Sequence, residues 1–264
     1  MASWSTRPLL LPLPGGSGER SVLRYRGVGL EASALTVFGP APGAAPAVLP
    51  PRDGVFEVRQ NDPKVGNYHW LQARGEEGRE VRVANTVAYF SNPGPAPTAL
   101  LAQARSELEL VPEPLPREHG QYRESEKWTF LVRFQGQPLA NQPVLLETEA
   151  GTRMPLASDA EGRVRVLFPR DMVTNQVPSQ APGRVAAGGH GRTRPGGFVL
   201  STLHESGGRR YLTAFNGSYG PDPERSRSLA AGAGFGLLGM VLAVPLLRRP
   251  RSAAPDSSGA TPHA

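Results

Sequence analysis

Glycine and proline interrupt this chain so often that a long helix in water has almost nowhere to form. There are 31 Gly and 28 Pro among 264 residues. Each proline fixes φ and removes a backbone donor, and each glycine inside a helix costs about 1 kcal/mol relative to alanine. Short strands joined by turns remain, so an all-β fold is expected. Apolar alternation places strands at 21–26, 30–38, 55–60, 68–74 and 80–90, an extended stretch at 107–111, and one short helix at 98–105. Within 80–90, Val81, Val83, Val87 and Tyr89 share one face while Arg82, Ala84, Thr86 and Ala88 share the other, the period of a half-buried strand.

Pro112, Pro114 and Pro116 form a stiff connector, because each ring also pushes the preceding residue out of the helical region. A domain boundary is expected there. Beyond it, strands at 127–134, 143–148, 153–156 and 163–168 alternate with turns at Gln135-Gly136, Ala150-Gly151 and 158–162. A closing hairpin pairs 198–203 with 210–215 around Gly207-Gly208. The expected organisation is a flexible leader at 1–20, an N-terminal β domain at 21–111 and an Ig-like β-sandwich at 112–220 with a long loop at 169–196. In the leader, Pro12 and Pro14 cut short the run begun by Leu9, Leu10 and Leu11, which is briefer than the roughly 7–15 apolar residues of a secretory signal.

One segment obeys a different solvent. Residues 229–247 are uncharged between Arg227 and Arg248. At about 1.5 Å per residue they reach across a hydrocarbon core of roughly 30 Å. A single-pass transmembrane helix is expected, its glycines tolerated because lipid leaves backbone amides no partner but one another. A short basic tail, 248–264, follows. Ser228, Gly232 and Gly236 recur every four residues and set a small-residue stripe on one helix face, which suits a homodimer. Arg248, Arg249 and Arg251 outnumber Arg225 and Arg227, so the tail is expected in the cytoplasm and the β domains outside it.

The remaining residues exclude more chemistry than they offer. There is no cysteine, hence no disulfide or thiolate site. The net charge of +6 comes from dispersed arginines without a focused basic face, which argues against nucleic acid. No Gly-x-Ser-x-Gly elbow, His-Glu-x-x-His pair or phosphate-cradling loop is present, so no enzymatic activity is expected. Glu107, Glu109, Glu113, Glu118, Glu124 and Glu126 are expected on solvated strand faces, where like charges discourage edge pairing. Trp70, Tyr89, Trp128 and Phe134 fall on strand patterns and are assigned to core. His69, His119, His190 and His204 are the candidate metal ligands; no two stand at i, i+2 or i, i+4, so a site would need tertiary contacts to assemble it.

Gly136, Pro138, Leu139 and Val144, followed by Asp159, Gly162 and Val164, resemble the G-x-P-L-x-x-x-x-V … D-x-x-G-x-V pattern of carboxypeptidase-regulatory-like and transthyretin-like β-sandwiches. With residues 115–120 and the apolar carboxyl-terminal run, the layout over 112–215 resembles the DUF4198 family, bacterial envelope proteins linked to nickel or cobalt uptake. That resemblance implies a membrane-anchored extracytoplasmic binding protein. Its ligand would be a divalent transition metal held by His69, His119, His190 and His204, and its partner an envelope transporter. The alternative is a non-catalytic structural module that contacts a protein or glycan of the cell envelope.

Overall fold

The computed structural model describes residues 4–14, 21–41, 43–60, 68–90, 96–117, 120–172 and 195–222. In chain order these form β1 (Leu9–Pro12), β2 (Val22–Val28), β3 (Leu35–Phe38), β4 (Ala47–Leu49), β5 (Phe56–Arg59), β6 (Tyr68–Glu77) and β7 (Glu80–Tyr89). The single helix α1 (Thr98–Ala102) precedes β8 (Leu108–Pro112), β9 (Tyr122–Arg123), β10 (Lys127–Phe134), β11 (Gln137–Pro138), β12 (Pro143–Thr148), β13 (Arg153–Ala157) and β14 (Arg163–Leu167). Two long strands close the series, β15 (Gly196–Ser206) and β16 (Arg209–Gly220). The chain is all-β with sandwich-like sheets. The expected membrane helix at 229–247, its stripe at Ser228, Gly232 and Gly236, and the tail at 248–264 lie outside the described residues. Among those described, no helix is long and apolar enough to cross a membrane.

The layers follow from which side chains need covering. A nine-stranded sheet runs β13-β12-β15-β16-β7-β6-β3-β4, with β9 added beside the end of β16. One face carries Trp70, Phe198, Leu200, Phe215 and Tyr219 and packs on Phe130, Val132, Val164 and Val166 of the small sheet built from β8, β10, β11 and β14. The opposite face carries Leu35, Val37, Leu71, Ala73, Ala84 and Ala88 and packs on Leu10, Tyr25, Phe56 and Val58 of the β1-β2-β5 sheet. Fully buried aromatics such as Trp70 and Phe198 each contribute roughly 1.5–3 kcal/mol by leaving water. The two cores account for an unexpected burial pattern in β6, where Tyr68 to Ala73 are all buried and neighbours point into different cores. They also correct the half-buried assignment of β7. Its face of small residues, Ala84, Thr86 and Ala88, is buried too, because alanine fills a shallow core as readily as it tolerates water.

The boundary expected at Pro112 does not divide the sheets. β16 pairs in parallel with β7, Arg210 beside Glu80 through Phe215 beside Asn85, so strands from both sides of the proline connector share one ladder. By contacts, residues up to Asp222 form one compact unit. A parallel pair needs a long crossover connection, and here everything from α1 to β15 lies within it. Polar side chains rivet that seam. Asn85 Oδ1 accepts from Trp70 Nε1 at 3.0 Å and Gln72 Nε2 at 3.1 Å, while Asn85 Nδ2 donates to Thr213 Oγ1 at 3.2 Å and Ala214 O at 3.1 Å.

The leader reading also changes. Leu9 and Leu10 are fully buried, and β1 pairs along β2 from Leu9 beside Val28 to Pro12 beside Tyr25. Leu9 and Leu10 enter two different cores, Leu9 beside Val199 and Ala214 and Leu10 beside Tyr25 and Phe56. Between the strands expected at 30–38 and 55–60 the chain adds a further short strand, β4. The expected turn at Gln135-Gly136 and the expected hairpin at Gly207-Gly208 are present, each pair of residues at positive φ as a tight two-residue turn requires: 52° and 79°, then 58° and 71°.

Candidate interaction surface

The four histidines do not converge among the described residues. His69 is buried on β6 and sets its ring edge-on against Phe90, 5.1 Å between centroids. His204, on β15, packs on Phe134 at 4.6 Å with its Nδ1 3.3 Å from Gln142 Oε1. Register fixes their separation. His204 pairs with Tyr211, Tyr211 lies beside Val81, and Val81 pairs with Glu76. From Glu76, His69 lies further along β6, so at about 3.3 Å per residue and about 4.8 Å per strand the two are roughly 25 Å apart. His119 and His190 lie outside the described residues. Among the described residues no group of three or more His, Asp or Glu is placed to hold a metal ion.

Two of the six acids expected in solvent are buried instead. Glu109 and the two arginines around it are closed off from water, with side chains 2% exposed for Glu109, 0% for Arg105 and 7% for Arg133. Arg133 Nε donates to Glu109 Oε2 at 2.7 Å, and Arg105 N donates to Glu109 Oε1 at 3.1 Å. Arg133 also donates to Ala102 O at 3.1 Å and to Gln103 O. Arg105 donates to Leu100 O and lies 4.0 Å from the centroid of Trp70. Burial pulls its guanidinium down to about 10, against the opposing pull of Glu109. This knot ends the helix early: α1 stops at Ala102, and Gln103 turns to ψ 128° so that the next residues reach the ion pair. Glu124, 1% exposed, accepts from Met172 N at 2.9 Å and Asp222 N at 3.2 Å, holding the chain where it leaves the sheet in two places. Nearby, Asp171 accepts from Thr148 Oγ1 at 2.6 Å and from the Tyr219 hydroxyl, whose pKa burial and that carboxylate raise.

A cluster of surface charges gathers where two hairpin tips meet. Because β7 and β16 run parallel, the β6–β7 and β15–β16 turns reach the same end of the sheet. Arg74 grips Glu107 with two bonds, 2.6 and 3.0 Å, and also Glu76 at 2.6 Å; Arg209 donates to the other oxygen of Glu76 at 2.7 Å. These arginines hold the Glu76 carboxyl below the usual range, Arg74 foremost, and Arg74 does the same to Glu107. A second chain links Arg82, Glu80, Arg210 and Glu205, at 3.3 to 3.4 Å. Beside them opens a cleft of about 470 Å³ lined by residues 29–31, residues 75–77 and Arg82. Its wall needs Gly75: a Cβ there would stand 2.5 Å from the Glu31 carbonyl oxygen, so backbone meets backbone and the turn after β2 is held against β6. Glu31 and Glu77 are exposed at this cleft and carry no ion pair among the described residues.

None of this convergence is written locally. The Arg-x-x-x-Glu spacing of Arg105 and Glu109 was the one available signal for the buried knot, and it reads equally well as a surface pair. The cleft depends on a register between residues 80–85 and 210–215 that no local pattern carries.

These features define a layered β-sandwich protein whose buried polar groups hold the layers and which gathers a cluster of surface charges at one sheet end. No known protein family matches the sequence, and no curated protein does. Among solved structures, the chain is similar to a Ca2+-stabilised adhesin with which an Antarctic bacterium binds ice, at 10% identity over 77% of this chain and 44% of that one, TM-score 0.27. It is similar to a 1.5-MDa bacterial ice-binding adhesin, at 12% identity over 83% and 65%, TM-score 0.26. A two-domain fibronectin type-III segment from chicken tenascin matches at 12% identity over 81% and 98%, TM-score 0.24. The chain thus spans less than two thirds of either adhesin chain. Scores of this size carry no argument about role.

Proposed function

We propose that this chain is a non-catalytic binding module of the bacterial cell envelope, anchored by residues 229–247 with its β-built body outside the cytoplasm. In this reading the cleft beside the two hairpin tips receives a lysine- or arginine-bearing segment of a partner protein. The observation that carries it is the distribution of charge. Buried ion pairs close on themselves within the fold, whereas Glu31 and Glu77 stand unpaired at a concave site on a rigid sheet end. Clefts with convergent polar groups at the end of a scaffold are where binding is found most often. Nickel or cobalt delivery has less behind it, since His204 is engaged with Gln142 and Phe134 far from His69.

Calorimetry on the full-length protein in detergent tests this. A peptide alternating lysine with valine is expected to bind, and the double variant Glu31→Gln/Glu77→Gln to weaken it by about tenfold, the size of two lost exposed ion pairs. Equal affinity for parent and variant sinks the cleft reading. Nickel titrated into the same sample is expected to give no stoichiometric heat; a stoichiometric site lost on His69→Ala and His204→Ala restores the metal reading. The anchor is checked by alkaline carbonate extraction of membranes. The full-length chain stays in the pellet and a chain ending at Asp222 moves to the supernatant if residues 229–247 lie in lipid.

A further inference from the structure

The sheet edges of this fold differ in what their outward backbone groups do. Along an antiparallel ladder, alternate residues bond to the neighbouring strand and the others point N–H and C=O away from it. On β1 the outward positions are 8, 10 and 12: Pro8 and Pro12 have no N–H, and Leu10 N and O both bond the Asn216 side chain at 2.9 Å. On β13, Thr148 N bonds Thr152 O, which turns Arg153, Pro155 and Ala157 outward and leaves the central donor missing. β4 is three residues between Pro46 and Pro50. β5 turns Glu57 and Arg59 outward, 3.6 Å apart as an ion pair. β8 is buried throughout. Prolines, charges, short length and covering are the usual means by which a strand edge is kept from recruiting another chain.

β14 has neither proline nor cover over its second half, and the charge there is of one sign. Val132 N bonds Gly162 O and Phe168 N bonds Glu126 O, so Val164 and Val166 belong to the ladder with β10 while Arg163, Arg165 and Leu167 face out. Asp159 takes both backbone groups of Arg163. Among the described residues nothing bonds the main-chain N–H or C=O of Arg165 or Leu167, and Pro169 closes the window beyond them. Leu167 is 45% exposed. Arg165 is exposed and makes no ion pair among the described residues, and Lys127 stands beside Leu167 across the ladder.

We propose that this window docks an extended acidic strand of a partner protein by strand addition. One partner residue bonds both backbone groups of Arg165 and presents a carboxylate to its guanidinium; the residue two places on bonds Leu167 and lays an apolar side chain against it. Charge selects this occupant. Residues 173–194 of the chain carry Arg184, Arg192 and Arg194 and no acid, and a second copy would set arginines from both chains side by side. The inference does not rest on the cleft, which is a different surface.

The test uses the full-length protein in detergent and a capped hexapeptide in which a glutamate and a valine stand two places apart between threonines, so that both reach the same face of the added strand. The expected result is saturable binding with amide exchange slowed at Arg165 and Leu167. Arg165→Pro removes an outward N–H that the β10 ladder does not use, so it is expected to weaken the peptide by at least about tenfold while thermal unfolding stays put. Arg165→Glu keeps the donor and is expected to lose the acidic peptide and accept a lysine–valine one. The Glu31→Gln/Glu77→Gln variant binds the acidic peptide as the parent does. The proposal is overturned by no binding, by protection elsewhere, by equal affinity for the charge-reversed peptide on the parent, or by Arg165 and Leu167 already protected in a dimer without peptide.

Discussion

Glu109→Ala lowers the unfolding free energy of this protein by about 3–5 kcal/mol, because it leaves two guanidinium groups buried without their shared counter-charge. Arg105 and Arg133 have 0% and 7% of their side chains in contact with water, so hydration cannot replace the lost carboxylate. For a body of this size the thermal midpoint falls by roughly 6–20 °C. An exposed pair supplies the contrast. Glu113→Ala breaks the 2.9 Å contact with Arg163, whose side chain is 47% exposed, and costs at most about 1 kcal/mol. Chemical denaturation of the parent and both variants separates them. A loss at Glu109 no larger than at Glu113 would show that water reaches the knot and that it does not pin α1 to the sheets. Replacing Arg105, Glu109 and Arg133 together by apolar residues of similar volume is expected to recover most of the loss, since the desolvation cost disappears with the charges.

The same knot marks how far local pattern reached. β10, β12 and β14 were legible because each alternates over a run bounded by a turn whose residues need positive φ, as Gln135 and Gly136 do. The hairpin of β15 and β16 was legible for the same reason at Gly207 and Gly208. What failed was any inference that needed a second surface. Glu109 and Glu124 looked solvated because an acid on an alternating strand ordinarily is; the arginines and backbone amides that justify their burial come from other elements. β7 looked half-buried because nothing near it announces a third layer, and the boundary at Pro112 looked natural because the parallel register of β7 with β16 joins segments far apart in sequence. The burial of His69 was hidden for a related reason: it stands beside Trp70 on a strand buried on both faces, and the second covering layer comes from elsewhere in the chain.

Asn216→Ala releases the amino-terminal strand. The side-chain amide of Asn216 reproduces the pairing of a neighbouring strand, donating to Leu10 O and accepting from Leu10 N at 2.9 Å each, at the one outward position of β1 that proline does not already silence. Without it a buried donor and a buried acceptor lose their partners together, which costs about 2–5 kcal/mol if the strand stays in place. If β1 instead frays into water, the cost is bounded by the burial it gives up, Leu9 and Leu10 being fully enclosed. Amide exchange tells the two outcomes apart. The expected result is fast exchange at Leu9, Leu10 and Leu11 together with Arg26 and Val28 on β2, whose amides face β1, while Phe130 and Val164 in the opposite core keep their protection. Asn216→Asp is the sharper variant. It keeps an acceptor for Leu10 N but sets an anionic oxygen against Leu10 O, so it should destabilise at neutral pH and recover as acid protonates the new carboxyl. Unchanged exchange at 9–12 in both variants would mean that the leucines alone hold the strand and that the side-chain bridge is incidental.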